Sequence, residues 1–218
     1  QKNKRKIKFI YFSTMQIYGD YQKLKIINEN TQTNCQSPYA LSHLLSENIV
    51  RSFSRINGFN ATSIRLSNSY GYPLLNKNNS WSYVVNDLCK GAIFKSEINL
   101  LSDGSTHRDF IHISDVCNAI KRIIKIKKNL PEIMNLSSGK TTNMMEIAFK
   151  IKKYSAKLSI SPVLFVKGKK LKDNDVNLRI KQIKKLKKFK ISNKLIKKMG
   201  ILNYTSLNDG IFLTLKEI

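Results

Sequence analysis

Apolar and polar positions repeat with two periods along the chain, close to two in short runs and close to 3.6 in longer ones. The run Lys6 to Phe12 (KIKFIYF) is short, apolar and rich in β-formers, and predicts a buried strand. A polar stretch from Asp20 to Gln36 separates it from a helical pattern that Ser37 and Pro38 open and that runs to about Asn57, with Gly58 just past its end. Ala61 to Leu66 predicts a second strand, and Ser80 is placed to cap a helix ending near Phe94. Asp103-Gly104 marks a turn before a strand over Asp109 to Ile113, after which Ser114 is expected to cap a helix through Ile126. Glu132 to Leu136 is a further strand, and Asn143 with Glu146 has capping-box spacing ahead of a helix to about Tyr154. Beyond Tyr154 the pattern loosens into basic helices whose Ile and Leu recur at helical spacing, so solvated helix faces are expected there. Strands alternating with helices predict an α/β protein with a parallel sheet, and no internal repeat is visible.

Composition narrows the class. A chain of 218 residues with 41% hydrophobic content can bury a sizeable core, as one domain or as a core plus a lobe. No apolar run approaches the roughly 18 residues of a membrane span, and the first residues do not resemble a signal peptide. Cys35, Cys89 and Cys117 are dispersed without CxxC spacing, which argues against a disulfide scaffold or structural zinc and points to a reducing cytoplasm. The net charge of +25 suggests a polyanionic partner at first sight. However, Lys outnumbers Arg 32 to 7, beside 27 Ile and 22 Asn, a set that AT-rich codons explain without any partner. Arg, the better reader of phosphates and bases, is the scarce cation, and the densest basic stretch, Lys181 to Lys198, holds Phe189 as its one aromatic. Nucleic acid is disfavoured as a partner, and so is a membrane.

Candidate chemistry concentrates between Phe9 and Glu47, in FIYFSTMQIYGD and QSPYALSHLLSE. Ser13 and Thr14 end the first predicted strand, and ligands of open α/β sheets bind beyond the carboxyl ends of strands. Tyr39 and His43 stand four apart on the predicted helix and share a face. A hydroxyl facing such a tyrosine can hydrogen-bond a substrate hydroxyl or keto oxygen while the phenol exchanges its proton and a nicotinamide exchanges hydride. His107 and His112 form no zinc spacing with His43 and are expected to be solvated, and no cysteine has a nucleophile's context.

These segments resemble the extended short-chain dehydrogenase/reductases, in the nucleotide-sugar epimerase/dehydratase group typified by UDP-galactose 4-epimerase. Ser13, Thr14 and Ile17-Tyr18-Gly19 match the family's strand end and VYG-like tripeptide, and Ser37 to His43 its SPYxxSK helix. The gap of 25 residues between Thr14 and Tyr39 also suits the family. RLSNSYGYP (Arg65 to Pro73), THRDFIHISDV (Thr106 to Val116), MNLSSGKTTNMMEIA and MGILNYTSLNDGI are similar to its later motifs, in the family's order. The resemblance implies a doubly wound, Rossmann-like parallel sheet with a smaller substrate lobe. Residues 1–72 would belong to the dinucleotide-binding part and 73–218 mainly to the lobe, with 108–128 returning to the core.

It further implies NAD or NADP as cofactor, a nucleoside-diphosphate sugar as substrate and a homodimer. Tyr39 would be the acid/base, Thr14 the hydroxyl that positions the sugar oxygen, and Ser13, Tyr39 and His43 cofactor contacts. Asn68 and Arg108 would meet the diphosphate, a role that a guanidinium fork and an amide suit chemically. Read singly, Arg108 could instead pair with Asp109 or Asp115, and Asn68 could cap a turn.

Two departures qualify the resemblance. The sequence contains no GxxGxxG turn to hold a dinucleotide pyrophosphate, which suggests an N-terminally truncated fragment of such an enzyme, inactive by itself, or as the alternative a non-catalytic remnant. The family's lysine is replaced by His43, shorter and without fixed charge, so electrostatic activation of Tyr39 should weaken. In addition, Met15 and Gln16 occupy the places where the family's dehydratases carry an Asp-Glu pair. Neither can transfer a proton, so dehydration is disfavoured against epimerisation or ketone reduction.

Overall fold

The computed structural model describes residues 7–20, 24–73, 82–183, 188–201 and 204–218. Its elements in chain order are β1 (Lys8–Thr14), β2 (Ile26–Ile27), α1 (Pro38–Asn57), β3 (Asn60–Leu66), β4 (Asn68–Tyr70), α2 (Val84–Phe94), β5 (Glu97–Leu100), β6 (His107–His112) and α3 (Ile113–Lys125). They continue with β7 (Ile133–Leu136), β8 (Thr141–Asn143), α4 (Met144–Ser155), β9 (Val163–Val166), β10 (Lys169–Lys170), α5 (Asp173–Ile183), β11 (Lys190–Ile191), α6 (Lys194–Lys198) and α7 (Leu207–Glu217).

Strands β1, β3 and β7 form a parallel sheet in that order, with Thr14 level with Leu66 and Leu66 level with Leu136. Parallel neighbours need crossovers, and α1 supplies the one between β1 and β3. Its ends follow from local chemistry. Ser37 accepts a hydrogen bond from the Ala40 amide at 3.2 Å, Pro38 takes the first turn, and Gly58 closes the helix in the left-handed region at φ 66°. On the other face of the sheet, Ile64, Met134 and Leu136 pack with Val116, Ala119 and Ile123 of α3 and Ile196 of α6. A second core joins α2, α4 and α7 to β5 and β9 through Leu88, Ile98, Met145, Ile151, Leu164 and Ile211. Between the two cores, β4, β6 and β8 form a mixed sheet in which β4 and β6 are parallel and β6 and β8 antiparallel.

Some elements differ from the pattern reading. The Ser80 cap falls outside the described residues, and α2 begins at Val84 without a side-chain cap bond. Helix α3 is capped by His112 rather than by Ser114: the His112 ring accepts from the Ser114 amide, and the strand before it runs from His107 to His112. The segment after Tyr154 contains strands as well as helices. β9 pairs with β5, some sixty residues earlier in the chain, and this distant partner is why four apolar residues among lysines become a strand. His107 and His112 are buried, each 5% exposed, not solvated, because β6 carries them between the two cores.

Candidate active site

The first wall of the site is built where β1 ends. Ser13 and Thr14 are buried, at 4% and 7% exposure, because the β1–β3 ladder continues to its last residue. Thr14 then caps a short 3-10 turn, Met15–Tyr18, its hydroxyl accepting from the Gln16 amide at 3.3 Å. Gly19 ends that turn at φ 70°, where a Cβ would lie 1.9 Å from the Asn34 carbonyl oxygen, so only glycine lets the polar loop return so closely. The loop delivers the chain to Ser37 and places Tyr39 in the first turn of α1, 53% exposed.

The second wall comes from the mixed sheet. Asn68 on β4 donates through Nδ2 to the Asp109 carbonyl at 2.9 Å, and Arg108 stands beside it on β6. The Asp109 carboxylate is fully buried and accepts from the Ser138 and Gly139 amides, each at 2.9 Å. Burial pushes its pKa up to about 6, against the pull of those hydrogen bonds. Asp115 is engaged elsewhere, by the Thr205 amide and hydroxyl at 2.9 Å. Among the described residues, therefore, neither aspartate forms an ion pair with Arg108, and its guanidinium remains available to a ligand.

Ser13, Thr14, Tyr39, Asn68 and Arg108 line a single cavity of about 360 Å³, which is also lined by Ser82 and Tyr83 and by Val84 and Val85 at the start of α2. Five of the six residues singled out in the sequence are thus brought together. A second cavity of about 370 Å³ adjoins it and shares Gln16, Asn68 and Arg108. Among the described residues, hydroxyls, amides and the Arg108 guanidinium supply the polar lining of the first cavity, beside apolar Met15, Leu66, Val85 and Phe110, and no carboxylate lines it. Such a lining suits a polyhydroxylated anion. The hydroxyl of Ser13 is buried there without a hydrogen-bond partner among the described residues.

His43, the sixth, does not line either cavity. Its Nδ1 lies 2.9 Å from the Tyr11 hydroxyl, and its ring meets Tyr39 edge-on at 4.6 Å between centroids. Sequence reasoning also missed the network beneath this wall. Glu47, one turn beyond His43 on the same face of α1, pairs with Arg65 of β3 through bonds of 3.0, 3.3 and 2.8 Å, both residues being 4% exposed. Arg65 also donates to the Tyr18 hydroxyl at 2.9 Å, and Tyr18 donates to Asn135 of β7 at 2.7 Å. Burial works to lower the Arg65 pKa, but the bonds with Glu47 and Tyr18 overcome it, so the net shift is upward. Burial also raises the Tyr18 phenol, with Arg65 opposing. The signal available in the sequence was a carboxylate in register with Tyr39 and His43, and an arginine inside an apolar strand.

Among the described residues no group of three His, Cys, Asp or Glu could hold a metal ion, and no helix is long and apolar enough to cross a membrane.

Comparison with known proteins gives consistent findings. A sequence model of the NAD dependent epimerase/dehydratase family matches residues 1–137. The chain is 28% identical over 170 residues to a UDP-glucose 4-epimerase of Mycoplasma genitalium, covering 71% of this chain and 50% of that protein. It is 26% identical over 141 residues to a dTDP-glucose 4,6-dehydratase of Xanthomonas campestris, covering 64% and 38% respectively. In structure it is similar to UDP-glucuronic acid 4-epimerase from Bacillus cereus in complex with NAD, at a TM-score of 0.74 and 20% identity, covering 96% of this chain and 58% of that one. The last likeness establishes a Rossmann-like α/β fold with parallel strands. The chain spans half or less of the two curated relatives' length.

Proposed function

The chain belongs to the NAD dependent epimerase/dehydratase family, and from that premise we propose that its cavity binds a nucleoside-diphosphate sugar for NAD- or NADP-linked epimerisation or ketone reduction. The single observation that carries this reading is the shared lining of one cavity by Thr14, Tyr39, Asn68 and Arg108. Arg108, free of carboxylate partners among the described residues, offers a guanidinium fork to the diphosphate, and Asn68 offers its amide edge. The Thr14 hydroxyl holds the sugar oxygen. The Tyr39 phenol gives or takes the proton on that oxygen as it changes between hydroxyl and ketone. Met15 and Gln16 supply no second acid or base, which supports these reactions over dehydration.

The residues present fit the nicotinamide end of the cofactor. Ser13 has a buried hydroxyl without a partner, and Nε2 of His43 is not engaged by any described residue. Ser13, Tyr39 and His43 would hold that end, and the bound nicotinamide supplies or accepts the hydride. In this reading residues 1–72 with 108–128 serve the dinucleotide-binding core and most of 73–218 the substrate lobe. β7 stands with the core, beside β3.

Two further features belong to the same reading. The thiols of Cys35, Cys89 and Cys117 are free, which fits a cytoplasmic protein. On α1, Leu41, Leu45, Ile49, Phe53 and Ile56 face outward, from 48% exposed at Leu41 to 80% at Ile56. An uncharged apolar stripe on so basic a chain supports pairing of two copies along α1.

A second reading, binding without turnover, is favoured by His43, an imidazole where the family has a lysine, whose Nδ1 is engaged by Tyr11 and which does not itself line the cavity. Hydride transfer by this chain would eliminate it. The primary test is calorimetric titration with UDP-glucose. Saturable binding is expected, with Arg108→Ala weakening it by about tenfold, the loss of one charge-assisted hydrogen bond, and Tyr39→Phe changing it by less than about threefold. Absence of heat with UDP-glucose, UDP-glucuronic acid and dTDP-glucose alike would contradict the proposal.

A further inference from the structure

We infer that Tyr11 is a positioning residue that holds the His43 ring by Nδ1 and keeps a hydrogen on Nε2, making that nitrogen a permanent donor for a ribose hydroxyl. The inference rests on the cofactor reading above for its ligand, but on geometry alone for the state of the ring. Tyr11 lies on β1 three residues before Thr14, on the strand face turned toward α1, and its hydroxyl stands 2.9 Å from Nδ1. The two rings are tilted by 40° at 5.8 Å, and on its other side the imidazole meets Tyr39 at 67° and 4.6 Å. The imidazole is thus wedged between a phenol from the strand and a phenol one helical turn earlier.

A neutral imidazole carries one hydrogen, and the hydrogen bond at one nitrogen decides which nitrogen has it. Among the described residues the Tyr11 hydroxyl engages Nδ1 and no other acceptor; in the proposed arrangement the phenol donates to Nδ1 and the ring hydrogen resides on Nε2. When the ring is protonated, Nδ1–H donates back to the Tyr11 oxygen and Nε2 keeps its hydrogen. The phenol can reverse its role, so Nε2 remains a donor in both charge states. This is the part of a lysine's function that an imidazole can reproduce: a donor to a diol, without the fixed positive charge and with a shorter reach. Tyr11 thereby completes His43, a task that no residue need perform for a flexible ammonium.

The test uses the ¹⁵N-labelled 218-residue chain and long-range nitrogen–proton spectra of its three histidine rings, with His43 identified by the signals missing in His43→Gln. The expected result is a single Nε2–H tautomer in the wild type and an averaged tautomer in Tyr11→Phe. A wild-type ring with its hydrogen on Nδ1, a measurement that needs no variant, overturns the inference, as does an unchanged pattern in Tyr11→Phe. NAD is then titrated as the probe. Movement of the His43 Nε2 signal is expected, with affinity about threefold weaker in Tyr11→Phe, the loss expected from weakening one neutral hydrogen bond. Shifts at Ser13 and Tyr39 without any at His43 overturn the donor role and leave the cofactor reading intact. With the tautomer locked and no shift anywhere, the cofactor reading fails and the ligand half of the inference fails with it.

Discussion

Each wall of the cavity rests on a buried carboxylate, and the two are stabilised by different partners. Beneath the Thr14–Tyr39 wall, Glu47 meets the guanidinium of Arg65, so charge is matched by charge and α1 is tied to β3. Beneath the Asn68–Arg108 wall, Asp109 accepts from neutral donors, the Ser138 and Gly139 amides foremost, and pairs with no cation among the described residues. The first arrangement holds as long as both partners are present. The second leaves a carboxylate whose protonation lies within reach of ordinary pH. The difference means that one wall should be vulnerable to substitution and the other to pH.

The largest effect should come from breaking the matched pair. Arg65→Met leaves Glu47 buried and uncompensated, and a loss of roughly 3–5 kcal/mol in urea denaturation is expected. The double variant Arg65→Met/Glu47→Leu should recover most of it, since replacing both charges by apolar groups is far less costly than removing one. No recovery in the double variant would show that the pair is not the unit that holds α1.

The unmatched wall should respond to pH. Asp109 titrates at about 6 in the fold against an ordinary 3.8, so between these values the folded chain holds a proton that the unfolded chain has released. Its contribution is therefore complete below about pH 3.8 and is lost as pH rises through 6, by about 3 kcal/mol over the whole window. Asp109→Asn should abolish this slope. Unfolding free energies of wild type and variant, measured from pH 4 to 7, check the claim through their difference. Parallel curves would contradict it.

The smallest effect on stability is expected on the outer face of α1. Ile49→Lys, at a position 61% exposed, should change unfolding free energy by no more than about 0.5 kcal/mol. If two copies pair along this helix, the same substitution should abolish the dimer in sedimentation. A dimer that persists would move the interface elsewhere.

That helix also shows how far the sequence could be read. Its ends were legible because Ser37, Pro38 and Gly58 act locally. Its orientation was not: the apolar stripe from Leu41 to Ile56 faces outward, while the face with Tyr39, His43 and Glu47 turns toward the sheet and the site. Periodicity identifies two faces but does not say which one is covered. The same limit applies to β9, which depends on β5 for its pairing, and to Arg65, whose partners come from α1 and the turn after Thr14. Motif order, by contrast, was enough to bring Thr14, Tyr39, Asn68 and Arg108 to one place, because each sits at the end of an element or beside a strand the fold must pair.

Amide spectra of the labelled chain during addition of UDP-glucose test most directly whether the two walls serve one ligand. The account predicts that signals of Thr14 and Tyr39 on one wall, and of Asn68 and Arg108 on the other, move together along one saturation curve. Shifts restricted to a single wall, or spread over surface lysines without saturation, would contradict it.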